Sequence, residues 1–442
     1  MRATGSARAL SLSLLCLSAL GCIHDPPRVE PEPSARHGAA PPPLPGAGEL
    51  VVHEWGTFTS LAGSEGTSLD GLHHASEPLP SFVHASGPAA RMSPFHVYGD
   101  ASSYVPASHV NGKMETPVLY FYSAAPQRVQ VHVDFVGGLL SEWYPAGALS
   151  TPSPGELAQG ATDVVDVARI ERSSLDWDLE LTPFEDGPPA GVPAVALDDP
   201  WQLAREVRAG FVRSAVPGGV AGAEAEHYVF YRGLGRLSLP VALRYCRGEL
   251  KARNGSGDPI AAAFALEMSA ERGRFEALGR LEAGEQKLVT FQAQATPKER
   301  VVEALAREVT RALVAEGLYE DEARAMVRTW APTWFADEGT RVLYILPRAT
   351  TDAILPIRIT PTPTELVRVL VGRQDILTPA AEADVERALE DRASGDPARR
   401  DAALRRLARL GRFLEPAVRR AVAWTSSDVA RRSGQELLAQ FQ

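Results

Sequence analysis

A period-two alternation runs through the first half of this chain and gives way near position 296, and that switch limits its architecture more than any other feature. Between Arg128 and Phe135, Val129, Val131, Val133 and Phe135 share one face while Gln130, His132 and Asp134 share the other. Leu175, Trp177, Leu179 and Leu181 repeat the pattern. Such stretches are strands with one face in a core and the other in water. Further strands are predicted at Leu50–Thr59, Pro117–Ser123, Glu226–Arg232, Arg236–Cys246, Ile260–Met268 and Leu288–Ala293, divided by turn-rich pieces such as Asn254-Gly255-Ser256-Gly257-Asp258. With no helices between them, they predict antiparallel β-sandwiches rather than a parallel sheet.

After the switch, Thr296-Pro297-Lys298-Glu299 reads as a capping box with proline at the first helical position. Val301, Leu305, Val309 and Leu313 then recur every four residues as far as Gly317, which predicts a helix. A second helix is predicted from Glu320 towards Trp330. Arg341–Leu346 and Ile354–Thr360 return to strand character and are expected to rejoin a sheet. In the tail, Asp396-Pro397, Glu415-Pro416 and Ser426-Ser427-Asp428 each open a helix, with Leu404, Leu407, Leu410, Val418 and Leu437 turned inward. This tail resembles HEAT-type helical repeats, about one and a half units of them. Since such repeats bury a core only by stacking, these helices are expected to lean on the rest of the protein. Its arginines, among them Arg399, Arg406, Arg412, Arg420 and Arg431, read first as a solvated face and second as a contact for anionic headgroups.

The expected fold class is therefore mainly β with α additions. Antiparallel β-sandwich domains, one or two of them, occupy 49–295, a helix pair with returning strands fills 296–378, and a short helical-repeat segment covers 379–442.

The first 22 residues concern destination instead. Arg2 and Arg8 precede an apolar run, Ala9–Leu20, that is too short for a mature membrane span, and Ala19-Leu20-Gly21-Cys22 closes it. The pattern resembles the bacterial lipoprotein signal, which implies lipidation of Cys22, although Ala19 stands where leucine is commonest and ordinary secretion is the alternative. Residues 23–48 are crowded with proline and poor in apolar side chains, as in a disordered tether. The resemblance implies export, a membrane partner reached through the lipid, and a body at the outer membrane facing the periplasm or cell surface. Ile23 does not resemble the aspartate that retains lipoproteins at the inner membrane. The formal charge of −10 becomes −12 once Arg2 and Arg8 leave with the signal, which argues against nucleic acid as a ligand. Cys246 is then the one cysteine of the body, so no disulfide framework supports it.

Histidine is unevenly spread: His53, His73, His74, His84, His96, His109 and His132 precede residue 133, and beyond it only His227 remains. Imidazole is a common metal ligand and proton carrier, so the excess suggests a site. His53, His73, His74, His84 and Glu115 are the candidate ligands for a divalent transition metal such as zinc, with separately hydrogen-bonded loop histidines as the alternative. No catalytic residue is assignable. His53-Glu54-Trp55-Gly56-Thr57 begins like a zincin helix, but Thr57 occupies the second histidine position and the flanking residues mark a strand. Pro332–Gly339 resembles the segment giving HExxH peptidases their glutamate ligand, Glu338 here, yet no histidine precedes it. Asp176, Asp178 and Glu180 form an acidic row of the kind that water-facing strands carry. Trp143, Tyr144, Trp177 and Trp201 read as core rather than as a sugar-stacking row.

Val52–Thr59 (VHEWGTFT) and Met114–Tyr122 (METPVLYFY) resemble segments of exported bacterial proteins of unassigned activity, a resemblance that implies export and brings no catalytic residue. Together these readings predict a lipid-anchored envelope protein with a binding or scaffolding role and an envelope protein or polysaccharide as partner. A metal-dependent hydrolase using the N-terminal histidines is the alternative.

Overall fold

The computed structural model describes residues 45–46, 48–72, 79–85, 107–152, 165–215 and 223–441, all within one compact unit. Cys22, His73, His74 and His96 lie outside them. Strand exceeds helix, 38% against 30%, so the chain is mainly β with α additions.

The longer strands are β1 (Leu50–Ala62), β2 (Gly112–Ser123), β3 (Gln127–Val136), β4 (Gly138–Tyr144), β5 (Arg172–Thr182), β6 (Val229–Gly235), β7 (Ile260–Met268), β8 (Arg272–Leu281), β9 (Gly339–Ile345) and β10 (Glu365–Ile376). Ten strands form the main sheet in the order Thr296–Pro297, β8, β7, β9, β10, β1, β2, β6, β4, His84–Ala85. The returning segment predicted at Arg341–Leu346 is thus β9, two places from β1. A second sheet runs Ala225–Glu226, Phe211–Ser214, β5, β3, Ile357–Thr360.

Pairing in both sheets is antiparallel with one exception: β1 runs parallel to β10, from Val51 opposite Glu365 to Ala62 opposite Ile376. That departs from the wholly antiparallel expectation, and burial explains it. Every residue of β1 is buried, and parallel pairing belongs to strands covered on both faces.

Two cores follow from those faces. Leu50, Val52, Phe58, Leu119 and Phe121 meet Val129, Val131, Leu175 and Leu179 of the second sheet, where the alternation seen in the sequence puts them. On the other face, Val51, Trp55, Val118 and Tyr120 lie under helices α1 (Trp201–Arg205), α2 (Lys298–Ala315) and α3 (Glu320–Trp330). Val301, Leu305, Val309 and Leu313 are the buried stripe of α2, as their spacing predicts. Its start differs from the prediction. Thr296–Pro297 pairs with Arg272–Gly273 as a strand, so no capping box forms and the helix begins at Lys298 without a side-chain cap.

In the tail, α4 (Pro379–Arg392), α5 (Pro397–Ala408), α6 (Leu414–Trp424) and α7 (Asp428–Leu438) share a third core with Leu61, Leu139 and Leu234 of the main sheet. These helices do lean on the sheet. Asp396 and Ser427 cap α5 and α7 as predicted, whereas α4, capped by Thr378, is additional to the helices read from sequence.

Candidate functional site

A cleft of about 420 Å³ opens over the helical face of the main sheet. Its floor is Trp55 of β1, Lys113, Glu115 and Val118 of β2, and Phe230 and Arg232 of β6, with Tyr228 beside them. Its walls are Leu79-Pro80, the start of α1 at Trp201, and the end of α3 at Thr329 and Trp330. Asp199, Pro200, Ala204, Thr333 and Arg412 complete the lining.

Two local irregularities aim these side chains. Between the pairs Trp55–Val118 and Thr57–Glu115, β2 carries one extra residue, and the pairing of β6 with both β2 and β4 also slips next to Gly233. Such bulges turn side chains out of strict alternation and are frequent beside functional sites. Gly56 permits the first of them, because a Cβ there would stand 2.8 Å from Pro117 Cα. Above the floor, α3 ends in a π-helical turn, Ala331–Phe335, which carries Thr333 on the cleft lining while Trp334 packs 5.1 Å from Trp330. The α1 wall is fastened from behind: Trp201 Nε1 donates to Glu226 Oε2 at 2.9 Å, and Arg205 Nε donates to Glu226 Oε1 at 2.9 Å.

One end of the cleft is charged. Arg412 Nη1 donates to Glu115 Oε1, Thr59 Oγ1 donates to Glu115 Oε2 at 2.9 Å, and Lys113 Nζ stands 3.9 Å from Glu115 Oε1. Arg232 Nη2 donates to Glu142 Oε1 at 2.6 Å. Burial alone would raise the Glu115 carboxyl, but Arg412, Lys113, the Thr59 hydrogen bond and Arg373 outweigh it and hold it at about 2. Burial lowers the Lys113 ammonium to about 8, with Glu115 and Glu142 opposing and Arg232 and Arg412 assisting. Glu142 is likewise held down: burial opposes, and Arg232 and Ser141 prevail. Among the described residues this end therefore brings together Lys113, Arg232 and Arg412 with Glu115 and Glu142.

The other end is aromatic. Trp55, only 1% exposed, and Trp330 both keep indole N–H groups without a hydrogen-bond partner among the described residues. The cleft is thus mostly apolar, with these indole groups at one end and ionisable side chains of shifted pKa at the other.

Of the candidate metal ligands, His73 and His74 lie outside the described residues, and His53, His84 and Glu115 each have a separate partner. His53 is fully buried, its Nδ1 2.8 Å from Glu322 Oε2 and its ring 4.4 Å from that of Tyr319. His84 Nε2 meets Glu224 Oε2 at 2.8 Å, and Glu115 is held by Arg412 and Thr59. Among the described residues no group of three histidine, cysteine, aspartate or glutamate side chains is placed to hold a metal ion. His109 pairs with Asp166, and His132 with Asp176 and Asp134. The acidic row of β5 is spent on cross-strand partners: Asp178 on Arg128, Asp176 on His132, Glu180 on Arg213. Among the described residues, Glu338 contributes its carbonyl, as acceptor from Arg341. Trp143, Tyr144, Trp177 and Trp201 are buried as expected, though Trp201 also lines the cleft.

Sequence reading passed over Lys113, Arg232, Trp330 and Arg412 as site residues. For Arg412 a signal existed: it lies in Gly411-Arg412-Phe413, between helices rather than on a helix face, where an arginine is free to point inward.

No protein-family model and no curated protein matches this chain. Among solved structures, it has a likeness to the yeast delta-COP-I mu-homology domain complexed with a Dsl1 WxWxV peptide, at 7% identity and a TM-score of 0.23, over 75% of this chain and 98% of that one. An overlap so slight assigns neither fold nor function.

Proposed function

We propose that this protein is a lipid-anchored binding protein of the cell envelope. In this reading Cys22 carries the lipid at the outer membrane, residues 23–48 are the spacer, and the body holds a small ligand in the cleft over the main sheet. The cleft carries the reading. Its volume falls within the range of roughly 300–1,000 Å³ usual for small-molecule sites, and its apolar lining is punctuated by a few polar groups of fixed position. The Cys22 segment and the proline-rich stretch after it support the location. No helix among the described residues is long and apolar enough to cross a membrane.

Two experiments test the two halves. Saturation-transfer NMR on the detergent-solubilised full chain is expected to detect 3-phenylpropanol and 4-phenylbutanol in the cleft, and Thr333→Trp, which adds bulk at the lining, is expected to weaken them by about tenfold. Alcohols that do not bind, or that bind Thr333→Trp unchanged, would remove the cleft from the reading. For the anchor, mass spectrometry is expected to find an acylated N-terminal Cys22 that Cys22→Ala abolishes. A mature protein still beginning at Met1 refutes it.

A further inference from the structure

We infer that a second cavity, separate from the cleft, binds a small hydroxylated anion, with the Arg236 guanidinium holding its carboxylate or phosphate group. The cavity measures about 400 Å³ and lies between the end of the main sheet and a three-stranded antiparallel sheet of Val241–Cys246, Glu249–Asn254 and Gln286–Val289. No residue lines both the cavity and the cleft, so the inference goes beyond the binding reading above and does not depend on it.

Backbone hydrogen bonds fix both walls. After β1 the chain turns back through Gly63–Thr67, where Gly63 N donates to the Thr67 carbonyl at 2.9 Å and Ser64 N to Glu382 Oε1 at 3.0 Å. Tyr245 N ties that turn to the small sheet by donating to the Ser64 carbonyl at 2.7 Å. Gly66 lines the cavity at a φ of 94°, and a Cβ there would stand 3.0 Å from the Leu243 carbonyl oxygen. Glycine meets that demand without strain. On the opposite wall Asn111 clamps the segment after β6: Leu237 N donates to Asn111 Oδ1 at 2.7 Å, and Asn111 Nδ2 donates to the Leu237 carbonyl at 3.1 Å. Arg236 N donates to the Gly137 carbonyl at 3.0 Å. The backbone of Arg236 is thus held in place, while its guanidinium has no partner among the described residues.

The hydrogen-bonding capacity of the lining gives the ligand its chemistry. Its polar residues are Ser60, Ser68, Asn111, Arg236, Ser238 and Gln374. Ser60 and Gln374, both buried, form the floor: Ser60 Oγ donates to Gln374 Oε1 at 2.8 Å. Gln374 Nε2 has one acceptor, the Asp375 carbonyl at 3.4 Å, and Asn111 Nδ2 has one, so each amide keeps an N–H to give. The Ser68 and Ser238 hydroxyls and the Arg236 fork add further donors. Among the described residues no carboxylate lines the cavity. The carboxylates around it are engaged, Glu65 and Glu382 by Arg420 and Asp375 by Arg373 and Arg341. Asp258 shares a neighbouring depression with Arg236 and forms no ion pair with it. Such a lining offers more donors than acceptors. It suits a ligand rich in acceptor oxygens, with an anionic head that takes two N–H groups of one guanidinium edge. Leu237, Val241 and Leu243 leave the C–H side of a short carbon chain against apolar wall.

The test titrates D-gluconate and glycerol 1-phosphate into the detergent-solubilised full chain at pH 7 and fixed ionic strength, against sorbitol and glycerol as neutral counterparts and glucamine as a cationic one. At least one of the two anions is expected to bind about tenfold or more tightly than its matching polyol. Tighter gluconate identifies a sugar acid, and tighter glycerol 1-phosphate a phosphate monoester. Arg236→Gln should abolish the preference while leaving thermal melting unchanged, because the side chain it alters is exposed and unpartnered. Arg236→Lys, which keeps the charge and loses the fork, should retain only part of it. Equal binding of anions and polyols, or a preference for glucamine, overturns the anionic ligand. A preference that survives Arg236→Gln overturns the assignment to this cavity, and no binding by any compound of the series removes the cavity as a site. In each of those cases the cleft is still judged by 3-phenylpropanol and 4-phenylbutanol, so the two readings fail separately.

Discussion

Two clusters of buried charge sit on opposite faces of the main sheet. On the face towards the second sheet, Glu54 accepts from the Tyr231 hydroxyl and from Arg368 Nε, while Arg368 Nη1 donates to Asp352 at 2.7 Å and to the Leu355 carbonyl at 2.8 Å. Asp352 is held in turn by Arg348, so the cations and carboxylates of this cluster are equal in number. On the helical face, the cluster of Lys113, Glu115, Arg232, Glu142 and Arg412 opens on a cleft. The charges of the first are matched within it. Buried charge is thus not itself a sign of function; what separates the two clusters is that the second borders open space.

Removing one partner from the matched cluster should give the largest effect. Arg368→Met strands the Glu54 carboxylate, which is fully buried, and such a loss typically costs about 3–5 kcal/mol. Chemical denaturation is expected to show that destabilisation, and ligand titration on the folded fraction no change in affinity. Undiminished stability would mean that the two clusters do not differ in this way.

Acid should reveal the next largest effect. Glu115 has a folded-state value of about 2 against an ordinary 4.5, so between those limits the unfolded chain binds more protons than the folded one. Stability from this carboxylate is complete above pH 4.5 and lost as pH falls towards 2, a swing on the order of 3 kcal/mol. Glu115→Gln is expected to flatten the acid limb of the stability curve, measured by thermal melts from pH 5 to the acid end. An unchanged limb would show that the charged end of the cleft does not hold this carboxylate ionised.

How much of this was legible beforehand depended on which faces meet water. Strands β3 and β5 alternate cleanly because Gln130 and Asp178 point outward while Val131 and Leu179 point in, and both were placed within a few residues. By contrast, β10 was not recognised. Arg368, Arg373, Gln374 and Asp375 are buried within it, each with polar partners supplied by other segments, so its pattern matches neither a half-exposed strand nor an apolar one. The site was hidden for the same reason. Glu115 stood out as a carboxylate near histidines, yet its ion-pair partner Arg412 is 297 positions away, and no local spacing records such a pairing. Gly56 and the strand bulge at Trp55 are equally silent in sequence, since a bulge is decided by what lies across the ladder.

The smallest expected effect has the opposite sign, and for that reason it separates the clusters most sharply. Burial lowers Lys113 from 10.5 to about 8, so below pH 8 the folded protein carries a charged amine that it would hold more comfortably unfolded. As pH rises from about 8 to 10.5 the folded amine is neutral while the unfolded one keeps its proton, and stability from this group increases. Lys113→Met replaces the amine with an apolar side chain of similar length and is therefore expected to stabilise the protein at pH 7, by about 1–2 kcal/mol, with the gap to the unaltered chain closing towards pH 10.5. Thermal melts across that range check it. A residue whose removal strengthens the fold is retained for something other than the fold. If Lys113→Met destabilises the protein as Arg368→Met does, Lys113 is a structural charge like its counterpart across the sheet.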